Sequence, residues 1–331
     1  MSGKRIEFID LAKGVCIILV TIGHCGVPIN IPGFEIVRMP LYFILSGLFY
    51  KDYGGLVSLI VKKTNKILLP FLFFYLIAYV VFYILQCFAP SLLVTDARGI
   101  FDLFNNRQFF NGPIWFLLAL FCCNIYYYFI EQISKGLNVN YFIATSVLSI
   151  IGGGIGWYIG SCKIFMPMFA DAALTALPFF YMGVVLKKTS ILYPNKMDKY
   201  NWLWFILAYA LSVIISRAFD YRLSLHCNEI EGASTYLLAA ISVFAMLMLC
   251  KMFKKLPLIS YMGRYSLIIL CTHHMYYRPV KVILSKIPIE NSTYIVALIT
   301  IMLSVISIPI CIKLIPWFVA QKDLIKWNPN A

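Results

Sequence analysis

The chain has 331 residues, of which 61% are hydrophobic and only 13% charged, with a formal net charge of +14. Soluble domains carry about 25% charged and roughly 45–50% apolar residues, so a water-soluble fold of this size has no means of hiding so much apolar surface. The basic residues are scattered through short connectors and build no basic domain, which excludes a nucleic-acid-binding face and points to anionic lipid headgroups.

Apolar runs bounded by charges, Pro or Gly place about ten spanning helices. In chain order they cover residues 11–29, 37–50, 67–88, 114–130, 141–159, 172–186, 202–216, 235–249, 265–280 and 294–319. The expected fold is an all-α integral membrane protein, one domain over residues 1–331. Several runs are shorter than the ~20 residues needed to cross hydrocarbon. The second contains Pro40 and reads as broken or re-entrant. With the N-terminus inside, 18 Lys and Arg fall on inner connectors and 9 on outer ones. That bias predicts both termini in the cytoplasm. The opening stretch has no small-residue cleavage site and is interrupted by Lys13, so it is expected to be retained as a helix.

The first helix carries the ionisable residues that matter. It reads RIEFIDLAKGVCIILVTIGHC, with Asp10, Lys13 and His24. Such groups are costly in a membrane and usually functional, although a lysine near a helix end also snorkels to headgroups. Lys13 and His24 are eleven residues apart, close to three full turns, so both point to one face roughly 16 Å apart along the axis. Asp10 sits three positions before Lys13, where the two can pair.

Later elements add fewer candidates. Lys63 and Lys66 precede the third run, Trp115 opens the fourth, and Asp171 is the one clear acid near a span. His273 and His274 lie in the ninth. The outer connectors 88–113 and 217–232 are mixed in charge and read by default as solvated loops. Most of the ten cysteines lie inside apolar runs as small hydrophobes. No CxxC or Cys/His spacing suggests zinc, so no metal is expected. Cys162 and Cys227 could meet on the outer side. Asn291 begins a sequon that is too short a pattern to carry weight.

A basic residue, ten intervening positions and a histidine on the first helix resemble the signature of the membrane acyltransferase-3 family. Further segments resemble it in order. These are MPLYFILSGLFYK with Ser46 and Gly47, KKTNKILLP with Lys63 and Lys66, GPIWFLLALF with Trp115, ALPFFYMGVVL, and MGRYSLIILCTHH with Gly263, Ser266 and His273. Sugar O-acetylases of the fucose 4-O-acetylase type are similar. At the basic positions the family commonly has arginine and this chain has lysine, which meets phosphate without a bidentate fork.

The resemblance implies an O-acyltransferase that moves an acetyl group from cytoplasmic acetyl-CoA, a co-substrate, to a hydroxyl of an extracytoplasmic glycan or lipid-linked saccharide. It implies a multi-pass protein of the bacterial inner membrane, in contact with lipid. Lys13, Lys63 and Lys66 are then expected at the CoA phosphates. His24 is expected as general base or as an acyl-imidazole nucleophile, with direct transfer preferred. Asp10 is a supporting residue, and Trp115, His273 and Ser46 are candidates on the substrate side. A transporter or flippase of glycan precursors is the competing class, but no repeated halves are evident. Lys13→Ala is expected to weaken acyl-CoA binding chiefly; an unchanged apparent affinity in a titration of donor would tell against a phosphate contact.

Overall fold

Lipid offers no partner for a backbone N–H or C=O, so apolar segments in a bilayer must satisfy their own hydrogen bonds as helices. The computed structural model describes residues 6–88, 111–189, 191, 193, 196–285 and 292–327, and it is helical almost throughout. The helices are α1 (Glu7–His24), α2 (Arg38–Leu48), α3 (Leu56–Lys63) running through a π-turn (Thr64–Leu68) into α4 (Leu69–Phe88), α5 (Trp115–Gly136), and α6 (Tyr141–Ser161). They continue as α7 (Ala170–Lys187), α8 (Asn201–Ala218), α9 (Gly232–Phe253), α10 (Pro257–Arg264), α11 (Ser266–Ser285) and α12 (Ser292–Leu314).

Seven described helical segments are long and apolar enough to cross a membrane: Leu56–Ile84, Gly112–Gly136, Tyr141–Ser161, Pro167–Lys187, Asp198–Ala218, Gly232–Phe253 and Ser292–Leu314. The expectation of ten is therefore met only in part. The three shortfalls have physical causes. Helix α1 carries Glu7, Asp10 and Lys13, α2 has only 11 residues, and α11 carries His273, His274, Arg278 and Lys281. Of these, α2 is enclosed by the other helices. Leu41, Phe43, Ile44, Leu45 and Leu48 of α2 are at most 2% exposed, whereas α4, α6, α8 and α12 present outer stripes such as Leu298, Met302, Ile306 and Ile310. The apolar exterior suits lipid and the polar interior suits a site.

Glycines bring the central helices into backbone contact, as small residues do between membrane helices. A Cβ on Gly47 of α2 would strike the carbonyl of Phe180 in α7, and one on Gly183 of α7 would strike the carbonyl of Ile44. Likewise Gly14 of α1 lies against the carbonyl of Ile259 in α10, and Gly263 of α10 against that of Asp10. Helix α2 runs antiparallel to α1: Arg38 lies beside Gly23, and the Lys13 ammonium sits 5.2 Å from the Phe49 ring centre.

Two local features depart from the sequence reading. The third span begins at Leu56 instead of residue 67, because LVSLIV is itself an apolar helical run, so Lys62, Lys63 and Lys66 lie within the helix and its π-turn and not in a connector. Within the outer connector 217–232, Leu223–Ser224 (β1) and Glu229–Ile230 (β2) pair as a short antiparallel hairpin, Leu223 opposite Ile230. Asn228 at its tip adopts a left-handed backbone, φ 53°, which asparagine tolerates better than most residues. Its buried side chain accepts from the Thr175 hydroxyl at 2.6 Å and donates to the Gly156 carbonyl at 3.1 Å. The hairpin is thus docked on α6 and α7. Cys162 and Cys227 are both free thiols. Residues 89–110 of the connector 88–113, and Asn291, lie outside the described residues.

At the opposite end of the bundle a strap over residues 316–327 lies on α3. Asn65, 1% exposed, accepts from the backbone N–H of Leu324 and Ile325 at 2.8 and 2.9 Å and donates to the Ile325 carbonyl. Asp323 pairs with Lys62 at 2.7 Å and Lys66 at 2.9 Å. Hydrogen bonds from these two lysines hold the Asp323 carboxyl below the usual carboxylate range. A depressed carboxylate stabilises the folded state above its ordinary pKa, and the contribution is lost as pH falls through the depressed value. We expect Asn65→Ala to strand two backbone donors, at a cost of roughly 1–3 kcal/mol, and to loosen the strap. Limited trypsin digestion at neutral pH should then cut at Lys322 and Lys326 faster than in the wild type; unchanged cleavage would contradict the clamp.

Candidate functional site

The crossing of α1 and α10 determines what happens ten residues further along each path. From Gly14 it is ten residues to His24, and from Gly263 it is ten to His273. The two histidines meet there, His24 Nδ1 lying 3.1 Å from His273 Nε2 with the rings stacked at 5.2 Å and 29°. His273 is fully buried, and its Nδ1 lies 2.8 Å from the Ile269 carbonyl one turn back. A carbonyl only accepts, so Nδ1 of His273 carries the proton and, in the neutral ring, Nε2 accepts. His24 then donates from Nδ1, and in the neutral ring its Nε2 carries the lone pair. His274 packs edge-on to His24 at 6.1 Å.

His24 itself is exposed, and the space it faces is a cavity of about 210 Å³. Glu35, Arg38, Trp115, His226 and Leu270 are among its walls. The hairpin closes it, since Leu223, Ser224, Leu225 and His226 all contribute. Trp115 is 7% exposed, with His226 against it edge-on at 5.5 Å and Phe169 tilted at 5.4 Å. The Tyr221 hydroxyl donates to Glu35 at 3.0 Å. One flank therefore offers a free imidazole nitrogen, a cation and an anion, and the other offers aromatic rings. That combination can deprotonate a hydroxyl and grip a polyol.

Of the residues singled out from sequence, the cavity wall holds His24 and Trp115, with His273 directly behind. The others lie elsewhere. Asp10, 8% exposed, has its carboxylate 3.8 Å from Nε of Arg264 in α10. Lys13 is one helical face with His24, since α1 is unbroken between them, and the Tyr42 hydroxyl donates to its carbonyl at 3.1 Å. Lys63 lies 5.3 Å from the Tyr53 ring centre, with Lys51 at 5.9 Å from the same ring. Lys66 donates to the Ala320 carbonyl at 2.8 Å besides pairing with Asp323. Ser46, half-buried, stands on α2 beside the Gly47 contact with α7, away from the cavity. A second cavity, of about 280 Å³, is lined by Lys51, Tyr53, Lys62, Asp323 and Trp327.

Glu35, Arg38 and His226 are cavity residues that the sequence did not single out. Arg38 stands at the start of the 37–50 run and counts there only as an outer cation. His226 lies in a connector that reads as a solvated loop. The docking of the hairpin, through Asn228 and through the Trp157 indole on the Ile230 carbonyl at 3.2 Å, turns that connector into a wall.

Residues 6–314 match the family model described as an acyltransferase domain, the acyltransferase-3 family, so that nearly the whole chain is covered. No curated protein and no solved structure matches.

The relay makes a chemical prediction independent of any reaction. Diethyl pyrocarbonate attacks an accessible, unprotonated imidazole nitrogen, so His24 and His226 should be modified first and buried His273 last. Peptide mass analysis that found His273 modified ahead of His24 would contradict the arrangement.

Proposed function

The chain belongs to the membrane acyltransferase-3 family, and from that premise we propose that it moves an acetyl group from cytoplasmic acetyl-CoA to a hydroxyl of an extracytoplasmic glycan or lipid-linked sugar. It is a membrane acyltransferase; the donor, the acceptor and the residue roles are our reading. The observation that carries this reading is the His24–His273–Ile269 relay beside a cavity of about 210 Å³ that His24 lines, because it assigns the His24 proton to Nδ1 and the lone pair to Nε2.

In this reading the cavity holds the acceptor sugar. Trp115 offers its ring to a sugar face, and Glu35 and Arg38 bind hydroxyls. His24 removes the proton from the reacting hydroxyl as the oxygen attacks the thioester carbonyl. The resulting imidazolium keeps Nδ1–H on His273 Nε2, so the ring is held in place while it is charged. His273 therefore acts as a positioning residue. We take direct transfer as the path, with His24 as base, over an acyl-imidazole.

The donor reaches His24 from the other end of α1. CoA is a polyanion on a long, thin arm, and Lys13, Lys51 and Lys63 gather around Phe49 and Tyr53 at that end. Cations there suit its phosphates, and the roughly 16 Å from Lys13 to His24 along the helix is on the scale of the pantetheine arm. Lys66 shares its charge with Asp323 and holds the strap. Asp10, set against Arg264, steadies the first turns of α1 near these cations. The orientation that follows has both termini and the lysines in the cytoplasm and the hairpin outside, in a bacterial inner membrane.

Membranes containing the protein should transfer label from radioactive acetyl-CoA to glycan. His24→Ala should lower that transfer by 10²–10⁴-fold, the range lost with a general base, while the protein remains inserted at normal levels. Normal acetylated product from this variant would refute the assignment.

A further inference from the structure

Arg38 begins α2 and lines the outer cavity, half-buried. Its guanidinium forms no ion pair within 4.0 Å among the described residues. Glu35, on the same wall, is instead served by the Tyr221 hydroxyl. One guanidinium nitrogen lies over the Cα of Gly23, where a Cβ would come within 2.6 Å of Nη1. Gly23 immediately precedes His24. A partly desolvated cation, next to the base and in no ion pair among the described residues, is placed to act on negative charge arising in the cavity.

We propose that Arg38 is a catalytic residue that stabilises the oxyanion of the transfer, an inference that rests on the acetyl-transfer reading above. The step balances as follows. His24 Nε2 takes the hydroxyl proton, the oxygen forms a bond to the thioester carbonyl carbon, and the carbonyl π pair moves onto its oxygen. That oxygen meets the guanidinium. Collapse re-forms the C=O bond and breaks the C–S bond, and the CoA thiolate takes the proton from His24. The oxyanion is two bonds from the oxygen that His24 deprotonates, so it must form within a few ångströms of the imidazole. A cation packed on the neighbouring residue is in range for it. A charged substituent elsewhere on an acceptor ring lies further from the base. Gly23 serves the same end: its missing Cβ is the room in which the guanidinium lies.

The test uses membrane vesicles holding the full chain and labelled acetyl-CoA, with total loss of the thioester as the readout. Wild-type turnover is measured first; an inert wild type would overturn the acetyl-transfer reading itself, before any variant is compared. With an active wild type, Arg38→Ala should lower kcat by 10²–10³-fold, the loss typical of one oxyanion donor, with KM for acetyl-CoA within about twofold. Arg38→Lys should lie between, keeping charge without the fork. Millimolar guanidinium ion should restore part of the activity of Arg38→Ala, which a folding defect would not allow. Gly23→Ala, which displaces the guanidinium but leaves its charge, should also lower kcat. Full kcat in Arg38→Ala, a loss confined to KM, or no rescue by guanidinium in a normally inserted variant would overturn the proposal.

Discussion

The crossing of α1 with α10, where Gly14 and Gly263 let two backbones touch, is the constraint on which the rest of the site depends. Lipid gives no hydrophobic reason for one apolar helix to prefer another, so close packing has to decide which helices associate. Once these two are locked, His24 and His273 follow at equal distances along their chains. The hydrogen bond between them is a consequence of the packing. A Cβ at either glycine would strike the facing carbonyl, of Ile259 or of Asp10, so the closeness of these two helices rests on two residues that have no side chain.

Helix α1 then separates two jobs. Its first turns lie among Arg264, Phe49 and neighbouring lysines, and its last residue opens onto the cavity at the other end. A single straight rod sets the distance between the two. Helix α2 returns antiparallel and brings Arg38 back to the His24 end, so the base and its neighbouring cation come from a hairpin of helices local in sequence. The cavity roof is not local at all: it is held by Asn228, fixed on Thr175 and Gly156.

What could be read from sequence follows from this division. The alignment of Lys13 with His24 needs only helical periodicity, and α1 runs unbroken between them. The apolar runs reveal most of the helices, since lipid imposes the hydrogen bonding. Helices α1, α2 and α11 also show as apolar runs, but charges, imidazoles or short length keep them from qualifying as membrane spans. Other features were less legible. The start of α3 was misplaced because its lysines imitate a connector while lying on a helix. The partnership of His24 with His273 spans 249 positions, and neither residue carries a local sign of the other. The roles of Glu35, Arg38 and His226 as walls were invisible for the same reason, as they depend on how a hairpin settles across the bundle.

The strap on α3 has a bearing on how the protein acquires its topology. Asp323 lies 261 positions after Lys62, so while the third helix is being threaded into the bilayer its carboxylate does not yet exist. Lys62 and Lys66 therefore present their whole charge to the insertion machinery, when it counts towards which side they stay on. Much later the arriving aspartate cancels part of that charge. The same two side chains are bare cations while the chain is still short and a latch in the finished molecule, and the order of synthesis keeps the two states apart.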